Sequence, residues 1–120
     1  SLRSIPAGDH VGYNTTFTAL RRTIIATVPL GYFEGVDRRL SNKGCMQIHG
    51  AVAPIAGRVS MNISTLDVTD VTDAARGDTV IALSREPSAP NSIANVAKAC
   101  GTIPYEILVH IPQHLRRVVE

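Results

Sequence analysis

The chain has 120 residues, 44% of them hydrophobic and 18% charged, with a mean hydropathy of +0.09, which describes one soluble globular domain with a single core. A net charge of +2 and a pI near 8.8 are too mild to argue for nucleic acid, whose readers interleave aromatic and basic residues on one face. No run approaches the roughly 20 apolar residues of a membrane span, and the opening "SLRSIPAGDH" lacks the apolar stretch of a secretory signal.

The first predicted element is "HVGYNTTFTAL", residues 10–20, a β-branched and aromatic run with Val11, Tyr13 and Phe17 on one side by period two. On periodicity alone, Tyr13 reads as a packing residue. "TIIATVPLG" predicts a second strand, ended by Pro29 and Gly31. "YFEGVDRRLSNKG" is a long loop, and "CMQIHG" with "AVAPIAG" predicts a hairpin around Gly50–Ala51. In "RVSMNISTLDV", residues 58–68, Val59, Met61 and Ile63 alternate with Arg58, Ser60, Asn62 and Ser64, which predicts a half-buried strand. "RGDTVIALS" reads as a turn and then a strand.

"SIANVAKACG" breaks the pattern. Ile93, Val96, Ala97 and Cys100 fall at helical spacing, Ser92 can cap the start and Gly101 the end, so one short helix is expected at about 92–100. "IPYEILVHI" and "LRRVV" read as closing strands. The fold class is therefore mainly β, a small barrel-like domain with one helix. Cys45 and Cys100, 55 positions apart, read as inert reduced thiols, and the four histidines form no metal-ligand spacing, so no metal site is expected. Arg21–Arg22 and Arg116–Arg117 read as solvated pairs.

Taken together, "AGDHVGYNTTFTA", "IATVPLGYFEGVDRRLSNKG", "APIAGRVSMN", "DVTDV" with "GDTVIAL", and "GTIPYEIL" resemble, in order and nearly in spacing, the C-terminal domain of alanine racemase. The matching pieces cover most of residues 5–111. "GYFEGVDRRLSNKG" followed by "APIAGRVSM" is the most specific part. The sequence begins without Met, and the resemblance implies a longer parent protein. An N-terminal (β/α)8 barrel absent from this chain would carry pyridoxal 5'-phosphate on a lysine, in a cytoplasmic homodimer that makes D-alanine for peptidoglycan. The C-terminal domain of one subunit would cover the barrel mouth of the other, where barrel active sites sit.

The resemblance also implies roles for single residues. Racemisation takes the α-proton from one face and returns one to the other, so two proton carriers are needed. Tyr13 matches the tyrosine that serves one face. Met61 matches a residue whose backbone N–H receives the substrate carboxylate, with Asn62 beside it. Tyr105 matches a tyrosine that reaches the cofactor phosphate. Tyr32, Arg38, Arg58 and Ile103 match the entrance to the site, where cations would attract a carboxylate.

Several positions depart from the family pattern. Asn62 replaces the usual Asp after Met, "GYFEG" replaces "GYADG", and "HLRR" at residues 114–117 replaces "RVPR". These departures leave other substrates open, such as serine, lysine or arginine. A non-catalytic dimerisation or assembly module is the alternative outside enzymology. Only Lys43 and Lys98 are present, one in a turn and one on the helix, so the isolated chain is expected to be inactive.

Overall fold

Residues 23–28 alternate Thr, Ile, Ala and Val so that four of the six side chains are buried, and the strand they form organises the first sheet. The computed structural model describes residues 1–11 and 17–116. Strand β4 (Thr23–Val28) lies between β1 (Leu2–Ile5) and β7 (Ser64–Asp67), antiparallel to both, with Ile25 opposite Arg3 on one side and Asp67 on the other. A two-stranded ribbon of β2 (His10–Val11) and β3 (Phe17–Thr18) stands apart from it. The third sheet has the order β6 (Ala51–Pro54), β5 (Cys45–Ile48), β8 (Val80–Ile81).

The two three-stranded sheets are stitched where β6 runs on toward β7. Ile55 bridges Leu66, and the Ala56 N–H donates to the Thr65 carbonyl at 2.8 Å. The resulting curved surface wraps Met46, Ile55, Val59, Leu66 and Val68 against Val96 and Ala97 of the helical side. A smaller cluster of Ile5, Ala19, Ile25 and Ala56, with Phe17 against it, lies under the ribbon. Among the described residues no ladder joins β1 to β8, so the domain is barrel-like and open. None of their helices is long and apolar enough to cross a membrane.

The β5–β6 hairpin turns at His49 and Gly50, both with positive φ (53° and 74°), the backbone handedness that matches the twist of a two-residue hairpin. The His49 ring holds the neighbouring loop. Nδ1 lies 3.3 Å from the Thr72 carbonyl, and Nε2 lies 2.9 Å from the Asp78 carboxylate. With acceptors at both nitrogens the protonated ring is favoured, and the Thr72 carbonyl first and Asp78 second raise its pKa above the ordinary value. A raised folded pKa contributes stability that is complete below the unfolded value and lost as pH rises through the folded one. The clip is therefore expected to loosen as pH rises from the ordinary histidine value through the raised folded one. Thermal midpoints of the parent protein and its His49→Ala variant should converge at the upper end, and a constant gap across that range would refute the clip.

Helix α1 (Ile93–Cys100) follows the sequence expectation closely. Ser92 Oγ accepts from the Asn95 N–H, Gly101 closes the helix at φ 69°, and Val96, Ala97 and Cys100 are buried. Burial raises the thiol pKa of both Cys45 and Cys100, in keeping with inert thiols.

Three strand expectations are corrected. "IPYEILVHI" is a helix over its centre, α2 (Pro104–Val109), with Pro at the first helical positions, where a missing N–H costs nothing. Ile103, Ile107 and Ile111 are spaced four apart, which is helical spacing. Residues 58–63 bend, and the strand begins only at Ser64. Val59 is buried, but Met61 and Ile63 are 49% and 46% exposed, because the Ser60 N–H donates back to the Ile63 carbonyl at 2.9 Å and folds the segment on itself. In "LRRVV", Leu115 and Arg116 are not in a strand, and residues 117–119 lie outside the described residues.

Candidate functional site

Two 3-10 turns in the long loop meet the 58–62 bend, and the site is built from that meeting. The first turn, Tyr32–Glu34, follows Gly31. The Tyr32 N–H donates to the Ser60 carbonyl at 3.0 Å and the Phe33 N–H to the Met61 carbonyl at 2.8 Å. The bend thus finds its backbone partners on a turn, not on a strand, and this decides its shape. Glu34 uses both carboxylate oxygens. Oε1 accepts from the Gly31 N–H at 2.9 Å, and Oε2 accepts from Asn62 Nδ2 at 3.0 Å.

The second turn, Arg38–Leu40, is capped by Asp37 and anchored by buried Leu40. Ser41 Oγ donates to the Arg38 carbonyl at 2.7 Å and accepts from the Val59 N–H at 2.8 Å. Asn42 Oδ1 accepts from the Gly57 N–H at 2.6 Å. These bonds bring Tyr32, Arg38, Arg58, Val59, Ser60 and Met61 around one open cleft of about 250 Å³. Arg38 and Arg58 also share an adjoining cleft of about 460 Å³ with Ser41 and Asn42.

The electrostatics favour an anion. Among the described residues neither Arg38 nor Arg58 pairs with a carboxylate. The Met61 carbonyl is taken by Phe33, while among the described residues no acceptor meets the Met61 N–H. A free amide and two free guanidiniums in one cleft offer donors of the kind a carboxylate binds.

Of the residues picked out from sequence, Tyr32, Arg38, Arg58 and Met61 come together, and Asn62 adjoins them through Glu34. Ile103 and Tyr105 stand on a different element, at the start of α2, and are 63% and 71% exposed. Tyr13 lies outside the described residues. Sequence reasoning missed the group that joins α2 to the second turn. Arg39 bonds Asp37 (Nη2–Oδ2 2.8 Å) and Glu106 (Nη2–Oε1 2.6 Å) at once, and Thr102 Oγ1 donates to the other Glu106 oxygen at 2.6 Å. Arg39 holds the Asp37 carboxyl below its usual range. Thr102 first and Arg39 second do the same for Glu106. Asp37, Glu106 and His110 could offer ligand atoms within 4.8 Å of one another, but the cation among them is the Arg39 guanidinium.

Positions that depart from the family pattern meet in space. Phe33 stacks on His114 with centroids 5.1 Å apart and 28° between planes, and Glu34 bonds Asn62. Asn62→Asp would replace that bond with two carboxylates in contact. It is expected to destabilise the turn by about 1 kcal/mol at low salt and by less at high salt. Chemical denaturation at two ionic strengths checks this, and a gain in stability would contradict it.

The fold and cleft define a small open β domain, one that presents phenols, guanidiniums and an amide outward and does not enclose them. Residues 1–119 match the family described as alanine racemase, C-terminal domain, and the chain belongs to that family. It is 43% identical over 121 residues to the alanine racemase of Sorangium cellulosum, covering 98% of this chain and 32% of that protein. The crystal structure of biosynthetic alanine racemase from Pseudomonas aeruginosa superposes with a TM-score of 0.86 at 36% identity, covering 98% of this chain and 32% of that one. Alanine racemase from Bartonella henselae, solved with covalently bound pyridoxal phosphate, gives 0.89 at 35% identity with the same coverage. The chain thus spans about a third of the length of these relatives.

Proposed function

We propose that this chain is the C-terminal domain of a pyridoxal-phosphate-dependent alanine racemase, a cytoplasmic homodimer that supplies D-alanine for cell-wall synthesis. In this reading the domain completes the active site of the partner subunit. The observation that carries it is the outward-facing cleft lined by Arg38, Arg58 and Met61, whose guanidiniums and amide meet no acid or acceptor among the described residues; in this reading they supply half of an amino-acid site. The arginines draw the substrate carboxylate inward, and the Met61 N–H donates to it. Tyr32 and Ile103 narrow the approach. Tyr13 moves the α-proton on one face.

When bound, the cofactor supplies the electron sink that makes the α-proton removable. Both lysines of this chain are exposed, so neither offers the buried amine the cofactor's aldehyde requires, and that lysine belongs to the barrel. What this chain offers the cofactor is the exposed Tyr105 hydroxyl, suited to donate to its phosphate. A phenol with an ordinary pKa near 10 serves as a base near neutral pH only beside positive charge, which the barrel side must provide.

The test is racemisation of L- and D-alanine, serine and lysine by the full-length protein. Alanine is expected to turn over fastest in both directions. A preference for serine or lysine would overturn the substrate, and no racemisation at all would leave an assembly module as the better description.

A further inference from the structure

We propose that Arg39 is a positioning residue that sets the cofactor-facing end of α2 against the entrance turn; this rests on the reading above, in which Tyr105 meets the cofactor phosphate. Arg39 is fork-bound to Asp37, with Nε–Oδ1 at 3.0 Å and Nη2–Oδ2 at 2.8 Å, and Asp37 Oδ1 also accepts the Arg39 N–H at 2.8 Å. The guanidinium is thereby fixed to the turn that carries Arg38. Its Nη2 then reaches Glu106 Oε1 at 2.6 Å. Glu106 follows Tyr105 in the first turn of α2, and its second oxygen is held by Thr102, which precedes the helix. One planar group therefore fixes two elements that the chain separates by more than sixty positions.

Geometry, more than stability, is the consequence. In the contact that reaches α2, Arg39 and Glu106 are 43% and 38% exposed, and exposed ion pairs contribute little to folding, while the more buried Asp37 holds the guanidinium to its own turn. A planar fork, however, fixes direction in a way a flexible ammonium does not. Without it α2 keeps Ile107 in the core but loses its tie to the 37–40 turn, and Tyr105 swings with it. Errors of about 1 Å in a positioned group can lower a rate by about 100-fold.

The experiment uses the full-length protein and measures pyridoxal phosphate retention by dialysis and absorbance, alanine kinetics and the denaturation midpoint. Its variants are Tyr105→Phe, Arg39→Met, Arg39→Lys, Glu106→Gln and the double variant Arg39→Met/Tyr105→Phe. Glu106→Gln leaves the Asp37–Arg39 fork intact, so it reads the contact with α2 even if Arg39→Met folds poorly. Expected are about 10-fold weaker retention in Arg39→Met and Glu106→Gln, within the range a misplaced contact permits. Arg39→Lys should recover part of the loss, the Glu106→Gln midpoint should be nearly unchanged, and the double variant should retain the cofactor no worse than Tyr105→Phe. If Tyr105→Phe weakens retention while Glu106→Gln and Arg39→Met do not, the positioning role is overturned and the site reading stands. Additive losses in the double variant also overturn it. If Tyr105→Phe itself retains the cofactor normally, the phosphate contact fails, and the positioning role fails with it.

Discussion

Tyr13→Phe in the full-length protein is expected to lower alanine racemisation by about 10²- to 10⁴-fold, the usual worth of one positioned acid–base group. Phenylalanine keeps the ring and removes only the hydroxyl, so the unfolding free energy is expected to stay within about 0.5 kcal/mol of the parent's. The two directions of reaction separate the possible roles. A carrier that serves one face abstracts the α-proton of one enantiomer and delivers it to the other. Its loss should therefore change the α-hydrogen isotope effect for one enantiomer more than for the other. Equal losses in both directions with unchanged isotope effects would mean that Tyr13 packs the site and moves no proton. In the sequence Tyr13 sits between Gly12 and Asn14, after β2 and before β3.

How much of this was readable in advance depends on whether a residue's partners are near it in sequence. Ser92 and Gly101 announce α1 because capping is local, and Ser92 Oγ does accept from the Asn95 N–H. The hairpin of β5 and β6 is legible for the same reason, since its turn at His49 and Gly50 lies between two short apolar runs. α2 was misread because its Ile, Leu and Val are β-branched or apolar residues in a short segment that either period accommodates, and Pro104 at the first helical position was not weighed as a helix start. The 58–63 segment failed for a different reason. Its alternation is real, but the carbonyls of Ser60 and Met61 are taken by Tyr32 and Phe33, roughly thirty positions away, and no local pattern announces such partners.

The same rule governs the site. Tyr32, Arg38, Arg58 and Met61 come from two segments that only tertiary bonds bring together, so periodicity could not group them, whereas ordered family motifs could. Arg38 and Arg39 are adjacent and chemically alike in the sequence. The structure separates them into one guanidinium with no acid partner among the described residues and one shared between Asp37 and Glu106. The Asp two positions before Arg39 was the available signal, because an Asp capping a short turn can also hold the second residue's side chain.

The largest expected effect on both stability and geometry is at Gly31. A Cβ built there collides with the Ser60 carbonyl oxygen and lies 2.6 Å from the Met61 carbonyl carbon and oxygen. All three are backbone atoms, so no side-chain rotation relieves the contact, and the two segments must move apart. The φ of Gly31 is −132°, an ordinary extended value, so this glycine is required for closeness of approach and not for handedness. Gly31→Ala is expected to cost about 3 kcal/mol, at the upper end of overpacking in a tight site. It should also expose the Tyr32 and Phe33 amides, whose bonds to Ser60 and Met61 would be stretched first, to faster hydrogen exchange. Because the Met61 amide and Tyr32 shift together, alanine turnover should fall by about 100-fold, as for a misplaced positioning group. Gly101→Ala is the contrast. Gly101 has φ 69° with nothing within 4 Å of a built Cβ, so the change there carries only the left-handed strain of about 1 kcal/mol and should leave turnover intact. Equal midpoints and turnover in the two variants would mean that the turn and the bend tolerate separation, and that the cleft does not depend on their contact.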